Sequence, residues 1–262
     1  MLLHAAGKKI IHKISALKCP AALSRLIICT MILHTANVSA DEVRVAVAAN
    51  FFASAKALAP AFKKETSHGL RLSSASTGKL AIQIMHGAPF DIFLAADAKR
   101  PARLIKQGLA IAPAYTYAIG QLALFSKHLR VDQTVTASLL DGTIKRVAIA
   151  NPEAAPYGLA AQQFLNTLSL PSQLITVKGD NVSQALQFAD TRNVDAAFVS
   201  LGQAQSTKGF YTIINSNSIT PIAQKAVLLT SAKNNEAAKA FLAFLQSPTA
   251  KTIIHNNGYL TE

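Results

Sequence analysis

Ser73-Ser74-Ala75-Ser76-Thr77-Gly78-Lys79 is the densest run of small hydroxyl residues in this 262-residue chain. It follows the short apolar run Gly69-Leu70-Arg71-Leu72 and precedes Leu80-Ala81-Ile82-Gln83-Ile84, whose pattern is helical. A strand that enters a Ser/Thr/Gly loop and then a helix is a βα unit, the building block of an α/β fold. Such a turn brings hydroxyls and unpaired backbone N–H groups to one point. The positive end of the helix dipole favours an anion there. Taken alone, the stretch also reads as an N-cap with a polar loop.

The same alternation extends in both directions. Val43–Ala48 reads as a strand and Phe51 to about Glu65 as a helix, which Pro60 should kink. Asp91–Ala96 is a third strand, followed by a helix from Lys99 to Gln107 that stops at Gly108. Tyr115–Ser126 breaks the pattern as a long extended run with no helix behind it. A second α/β series follows, with strands at 147–150, 175–177 and 196–199 and helices at 159–168 and 183–189. Ile219–Thr230 is again long and extended, and helices at 235–245 and 248–256 close the chain. The expected fold is two α/β lobes, each a doubly wound and mainly parallel sheet, joined by two crossing strands. The expected lobes are 41–122 plus 226–262, and 123–225.

The first forty residues stand apart. Lys8, Lys9, Lys13, Lys18 and Arg25 precede any acid, the apolar run Leu26–Leu33 follows, and Val38-Ser39-Ala40 has small residues at a cleavage spacing. This reads as a cleavable secretory signal over 1–40, with export from the cytoplasm. A membrane anchor needs about twice that apolar length. Both cysteines, Cys19 and Cys29, lie within the segment. Its five basic residues taken from 26 leave 21 against 13 acids, so the charge falls from +13 to roughly +8. The remaining Lys and Arg are scattered, which argues against nucleic acid and suits the steering of anions.

In α/β sheets ligands bind at the carboxyl ends of strands, where the strand order reverses. The loops at those ends are 48–50, 74–78, 150–158, 179–182 and 199–200, and none contains Lys or Arg. Neutral donors from several helix N-termini would suit a desolvated oxyanion. Ser76-Thr77-Gly78-Lys79 also satisfies S-x-x-K, the nucleophile pattern of serine acyl-enzymes, but the companion S-D-N and K-T-G motifs are absent. His68, His86, His128 and His255 are far apart, with no metal-ligand spacing among them. Binding without catalysis, and without a cofactor or catalytic metal, is the expectation.

The chain from Asp41 onward resembles the periplasmic molybdate-binding proteins of ABC importers. The resemblance rests on Ala46-Val47-Ala48-Ala49-Asn50-Phe51, Ser76-Thr77-Gly78-Lys79-Leu80, Gly87-Ala88-Pro89-Phe90-Asp91, Ala95-Ala96-Asp97, Tyr117-Ala118-Ile119-Gly120, Asn151-Pro152, Ala155-Pro156-Tyr157-Gly158 and Asn181-Val182. It implies a type II periplasmic binding protein, a monomer that takes molybdate or tungstate between its lobes and delivers it to a membrane permease. Sulfate or phosphate is the alternative oxyanion. Carried over, the oxyanion contacts fall on Asn50 (backbone or side chain), Thr77 (hydroxyl and N–H), Tyr157 (phenol) and Val182 (N–H). Ser76 and Ser200 are additional candidates. Many members have Ser at the positions of Asn50 and Thr77. Some draw a tyrosine hydroxyl from the position of Ser200, whereas here the phenol would come from Tyr157. Lys79 is expected in solvent, and Asp180 is expected to face away from the anion as an N-cap.

Overall fold

The computed structural model describes residues 41–131 and 135–261; the expected secretory signal lies outside them. The first unit runs β1 (Glu42–Ala48), a 3-10 turn (Ala49–Phe51), α1 (Phe52–Thr66), β2 (Gly69–Ala75), α2 (Thr77–Met85), β3 (Ile92–Ala95), α3 (Lys99–Lys106) and β4 (Ala110–Gly120). The second runs β5 (Leu122–Ser126), α4 (Val135–Leu140), β6 (Arg146–Ala150), α5 (Pro156–Leu165), β7 (Ile175–Gly179), α6 (Val182–Asp190), β8 (Ala196–Ser200), α7 (Leu201–Ser206) and β9 (Phe210–Ile213). The chain then returns through β10 (Ile222–Leu229), α8 (Glu236–Phe244), α9 (Pro248–Asn256) and β11 (Tyr259–Leu260).

Among the described residues these strands make a six-stranded sheet, β11-β4-β10-β3-β1-β2, and a five-stranded sheet, β7-β6-β8-β5-β9. The sheets are mixed rather than mainly parallel. β1 pairs parallel with β2 and β3, and β6 with β7 and β8. β10 is antiparallel to β3 and β4, β11 to β4, and β5 to β8 and β9. Parallel neighbours need a helical crossover. The segments that carry the chain between lobes have none, so they enter their sheets antiparallel. The long run 115–126 divides at Gln121, giving its first half to one sheet and its second half to the other.

Side-chain alternation covers both faces of the first sheet. Val43, Val45 and Val47 of β1, with Ile92 and Leu94 of β3, join the core under α1, α8 and α9. Ala46, Phe93 and Ala95 point the other way, onto Leu80, Ile84 and Leu104 of α2 and α3. Every second residue therefore serves one core, as the pleat requires. A third cluster fills the second lobe and takes in Ala48, Ala49 and Ala96 from the first. The lobes are thus in apolar contact at the strand ends.

Two element boundaries bear on function. The helix expected from Leu159 begins at Pro156, which fits a position whose N–H has no intrahelical partner. Tyr157 is therefore a first-turn residue and not a loop aromatic. The chain also does not end on a helix: β11 pairs Tyr259 with Gly120. Two residues are too short for a periodicity signal. Gly258, at φ +81°, makes the turn into β11, and a Cβ there would lie 2.7 Å from the Gly202 nitrogen. Gly258→Ala should lower unfolding free energy by about 1–2 kcal/mol from the left-handed backbone alone, and more from the clash. Urea unfolding would show this as a lower midpoint at unchanged slope.

Candidate functional site

β1 and β6 each lie between two parallel neighbours, so the strand order reverses on either side of them. Their carboxyl ends are the switch points where α/β sheets bind ligands. Asn50 follows β1, Thr77 follows β2, Tyr157 follows β6 and Val182 follows β7. All four are buried, none more than 5% exposed.

The caps at these helices leave particular donors over. At α2, Ser76 Oγ accepts from the Lys79 N–H at 3.4 Å and Ser76 O from the Leu80 N–H at 3.0 Å. The Gly78 N–H crosses to Ala154 O of the other lobe at 2.8 Å. At α6, Asn181 Oδ1 accepts from Ser183 and Gln184 at 2.9 and 3.1 Å, and Asn181 O from Ala185 at 3.2 Å. At α5, Pro156 has no N–H, and Leu159 donates to Ala155 O at 3.1 Å. Among the described residues, no acceptor takes the first-turn N–H of Asn50, Thr77, Tyr157 or Val182. The Thr77 hydroxyl accepts from the Ala96 N–H at 3.3 Å and keeps its own proton to donate.

Contacts across the cleft bring the two sets of helix ends together. Besides Gly78 with Ala154, the Ser183 hydroxyl donates to Ala49 O at 3.3 Å, and Arg100 Nη2 to Glu153 O at 2.6 Å. Lys79 Nζ lies 2.7 Å from Asp180 Oδ2. This corrects one expectation: Asp180 is not an N-cap, because Asn181 holds that position, while Lys79 stays half exposed and reaches Asp180 at the rim. Each carries its neighbour's opposite charge at the rim, which removes the repulsion that a lone Asp180 would exert on an anion. Lys79 directs its amine to Asp180, while the Ser76 hydroxyl caps α2; the S-x-x-K pair is not arranged as nucleophile and base.

Ser200 is fully buried as the N-cap of α7, in a capping box with Gln203, and its hydroxyl donates to Gln203 Oε1 at 2.9 Å. Gln203 Nε2 continues to the Ser183 hydroxyl at 2.9 Å. Two polar residues that sequence reasoning missed lie beside Asn50. Gln224 is fully buried in β10 and Tyr259 comes from β11. A buried Gln within an apolar extended run was the available signal for the first. Nothing local signals the second. A cavity of about 640 Å³ opens on the flank of the cleft, lined by Arg100, Pro156, Gln163 and Pro221 among others, but by none of the four first-turn residues. Open volume therefore does not mark this site; buried polar groups do. Among the described residues, no cluster of three His, Cys, Asp or Glu could hold a metal ion.

The Tyr157 phenol points toward Gly120 at the end of β4. It is buried with no partner in hydrogen-bonding geometry among the described residues, although the Tyr259 hydroxyl lies beside it. Gly120 makes room for it: a Cβ there would sit 2.1 Å from Tyr157 Oη and 3.0 Å from Gln224 Nε2. Burial pushes the Tyr157 phenol well above its ordinary range, and the Tyr259 and Tyr117 hydroxyls add to the rise. Burial lifts Tyr259 to about 12, with Asn50, Ser200 and Tyr157 limiting the shift.

Residues 43–260 match the profile of the bacterial extracellular solute-binding protein family. The chain belongs to that family. Among its relatives, the molybdate-binding protein ModA of Azotobacter vinelandii is 39% identical over 246 residues, covering 91% of this chain and 98% of that protein. The ModA of Rhodobacter capsulatus is 39% identical over 231 residues, 86% of this chain and 90% of that one. A solved structure of an Azotobacter vinelandii periplasmic molybdate-binding protein superposes with a TM-score of 0.77 at 35% identity, covering 84% of this chain and 99% of that chain. The fold is accordingly the two-lobe solute-binding fold.

Two outcomes test the hinge side of the site. Gly120→Ala should destabilise the ligand-free protein, and adding Tyr157→Phe should restore part of the loss by removing the clashing oxygen; paired urea titrations measure both. The buried tyrosines also set a pH dependence. Their folded pKa values lie above the unfolded value near 10, so their neutral forms stabilise the fold fully below about pH 10. That contribution is lost as pH rises through about 12 for Tyr259. The urea midpoint should fall across that interval, and a flat profile would count against the burial described.

Proposed function

We propose that this solute-binding protein captures a tetrahedral oxyanion, molybdate or tungstate, between its lobes and delivers it to the membrane permease of an ABC importer. The observation that carries the reading is that buried first-turn residues from both lobes, Asn50 and Thr77 with Tyr157, Gly158 and Val182, have N–H groups with no acceptor among the described residues. Asn50, Thr77, Tyr157 and Val182 are the proposed ligand residues, and the hydroxyls of Thr77 and Tyr157 add two donors. Ser76 contributes its hydroxyl proton, since the cap uses only its oxygen as acceptor. Ser200 directs its proton to Gln203 and supports the second lobe instead of the anion. The identity of 39% to two molybdate-binding relatives supports this choice of anion.

In this reading the bodies 41–122 with 226–262, and 123–225, close about the segments near Gln121–Ser126 and Gln224–Leu229. The protein acts as a monomer in the periplasm after loss of 1–40, needs no cofactor and performs no catalysis. Sulfate and phosphate are the competing ligands.

Calorimetry and thermal shift on residues 41–262 with molybdate, tungstate, sulfate, phosphate and an organic acid decide among these. Molybdate or tungstate at 100 times its dissociation constant should add about 2.7 kcal/mol to stability. A response to another ligand with none to these two would overturn the assignment. Tyr157→Phe should weaken molybdate about 10- to 100-fold, the range for a hydrogen bond to a charged group. Unchanged affinity would remove the phenol from the ligand shell.

A further inference from the structure

The 3-10 turn that carries Asn50 is held by residues from the far end of the chain. Phe51, in the same turn, meets the rings of Tyr117 and Tyr259 edge-on, with centroids 4.8 and 5.2 Å apart. The Tyr259 hydroxyl donates to the Asn50 carbonyl at 2.7 Å and accepts from Asn50 Nδ2 at 3.1 Å. Gln224 Oε1 accepts from the same nitrogen at 2.9 Å, and Gln224 Nε2 is anchored on Ile222 O at 3.2 Å. Proton count sets these directions. A phenol has one proton, and here it goes to a carbonyl that can only accept, so the group of Asn50 facing the phenol oxygen must be the amide NH2. Gln224 then has to present its oxygen. Both amide protons of Asn50 are thus engaged inside the protein.

We propose that Tyr259 and Gln224 are positioning residues that clamp Asn50, so that only its main-chain N–H faces the anion and its side chain serves as a strut. This rests on the oxyanion reading above. A hydrogen bond weakens steeply when donor and acceptor fall out of line. A short 3-10 turn at the end of β1 has little internal stiffness to aim its N–H. The clamp supplies that stiffness from both ends of the turn, through the Asn50 carbonyl, the Asn50 amide and the Phe51 ring. Tyr259 also stands beside Ser200 and Tyr157 of the second lobe. The aim of the first-lobe donor is thereby set where the two lobes meet.

The test is molybdate calorimetry on wild type, Tyr259→Phe, Gln224→Met, Asn50→Ala and the double variant Gln224→Met/Asn50→Ala. Tyr259→Phe keeps the ring and loses two hydrogen bonds, and should weaken molybdate about tenfold. Gln224→Met loses the bond to the Asn50 side chain together with the Nε2 anchor on Ile222 O, and should weaken molybdate several-fold. The double variant should bind no more weakly than Asn50→Ala alone, because Gln224 acts through that side chain. A purely structural role would lower the ligand-free melting temperature and leave the dissociation constant unchanged. If the Asn50 amide bonded the anion directly, Gln224→Met would free a proton for it, and affinity would hold or rise. Either result, with wild type binding normally, overturns the clamp while the oxyanion reading stands. Failure of wild type to bind any oxyanion overturns both. Should Tyr259→Phe not fold, the Gln224 series decides alone.

Discussion

A backbone N–H buried without an acceptor costs about 1–3 kcal/mol, and at the cleft the first-turn N–H groups of Asn50, Thr77, Tyr157, Gly158 and Val182 have no acceptor among the described residues. At α2 and α6 a capping side chain takes part of the first turn, whereas α5 and the 3-10 turn at Asn50 have no side-chain cap. Asn181 accepts from three successive N–H groups after Val182, and Ser76 from two after Thr77 and Gly78. Thr77 at α2 and Val182 at α6 keep an N–H with no acceptor among the described residues, as do Tyr157 and Gly158 at α5. Small residues let the backbones come this close. A Cβ on Gly158 would sit 2.1 Å from the Ala150 carbonyl oxygen, and one on Gly78 would sit 3.0 Å from Ala154. In the proposed site, main-chain donors therefore stand beside the hydroxyls of Ser76, Thr77 and Tyr157.

That construction explains how a chain with net charge +13 can recognise an anion without Lys or Arg in its binding loops. A flexible ammonium would add attraction, but it would bring its own desolvation cost and little shape. Fixed N–H dipoles add directional attraction with no charge to desolvate. The cations stay outside. Lys79 is held at the rim by Asp180, and Arg100 is drawn to Asp97 and the Glu153 carbonyl.

The α/β architecture is legible in the sequence because each strand of the parallel core is short, apolar and followed by a small-residue turn. The two helices α2 and α6 are legible to within a few residues: the pattern places them from Leu80 and Ser183, and they begin at Thr77 and Val182. What escapes the sequence is long-range. Tyr259 lies 209 residues from Asn50, and Gln224 lies 174 away. No local periodicity reports that they share an amide. The antiparallel entry of β10 and β4 escapes as well, because an extended run carries no mark of its partner's direction. Asp180 was misplaced because capping by Asn181, one residue on, serves the same helix.

In the proposed closure, finally, the polar contacts between the lobes add little. The Lys79–Asp180 pair is half or more exposed on both sides, and such pairs contribute about 0–1 kcal/mol. Gly78 with Ala154, Ser183 with Ala49 and Arg100 with Glu153 add three hydrogen bonds, of which neutral examples give about 1 kcal/mol each. Against these stand the first-turn donors that closure draws away from water. A ligand moves such an equilibrium only by binding one state better than the other. Complete switching takes roughly 5.5 kcal/mol of preference. An anion that bonds donors from both lobes at once can supply it, because an open form offers only one lobe's donors. In the proposed mechanism the unclaimed N–H groups are thus both the binding surface and the reason that binding and closure would be one event.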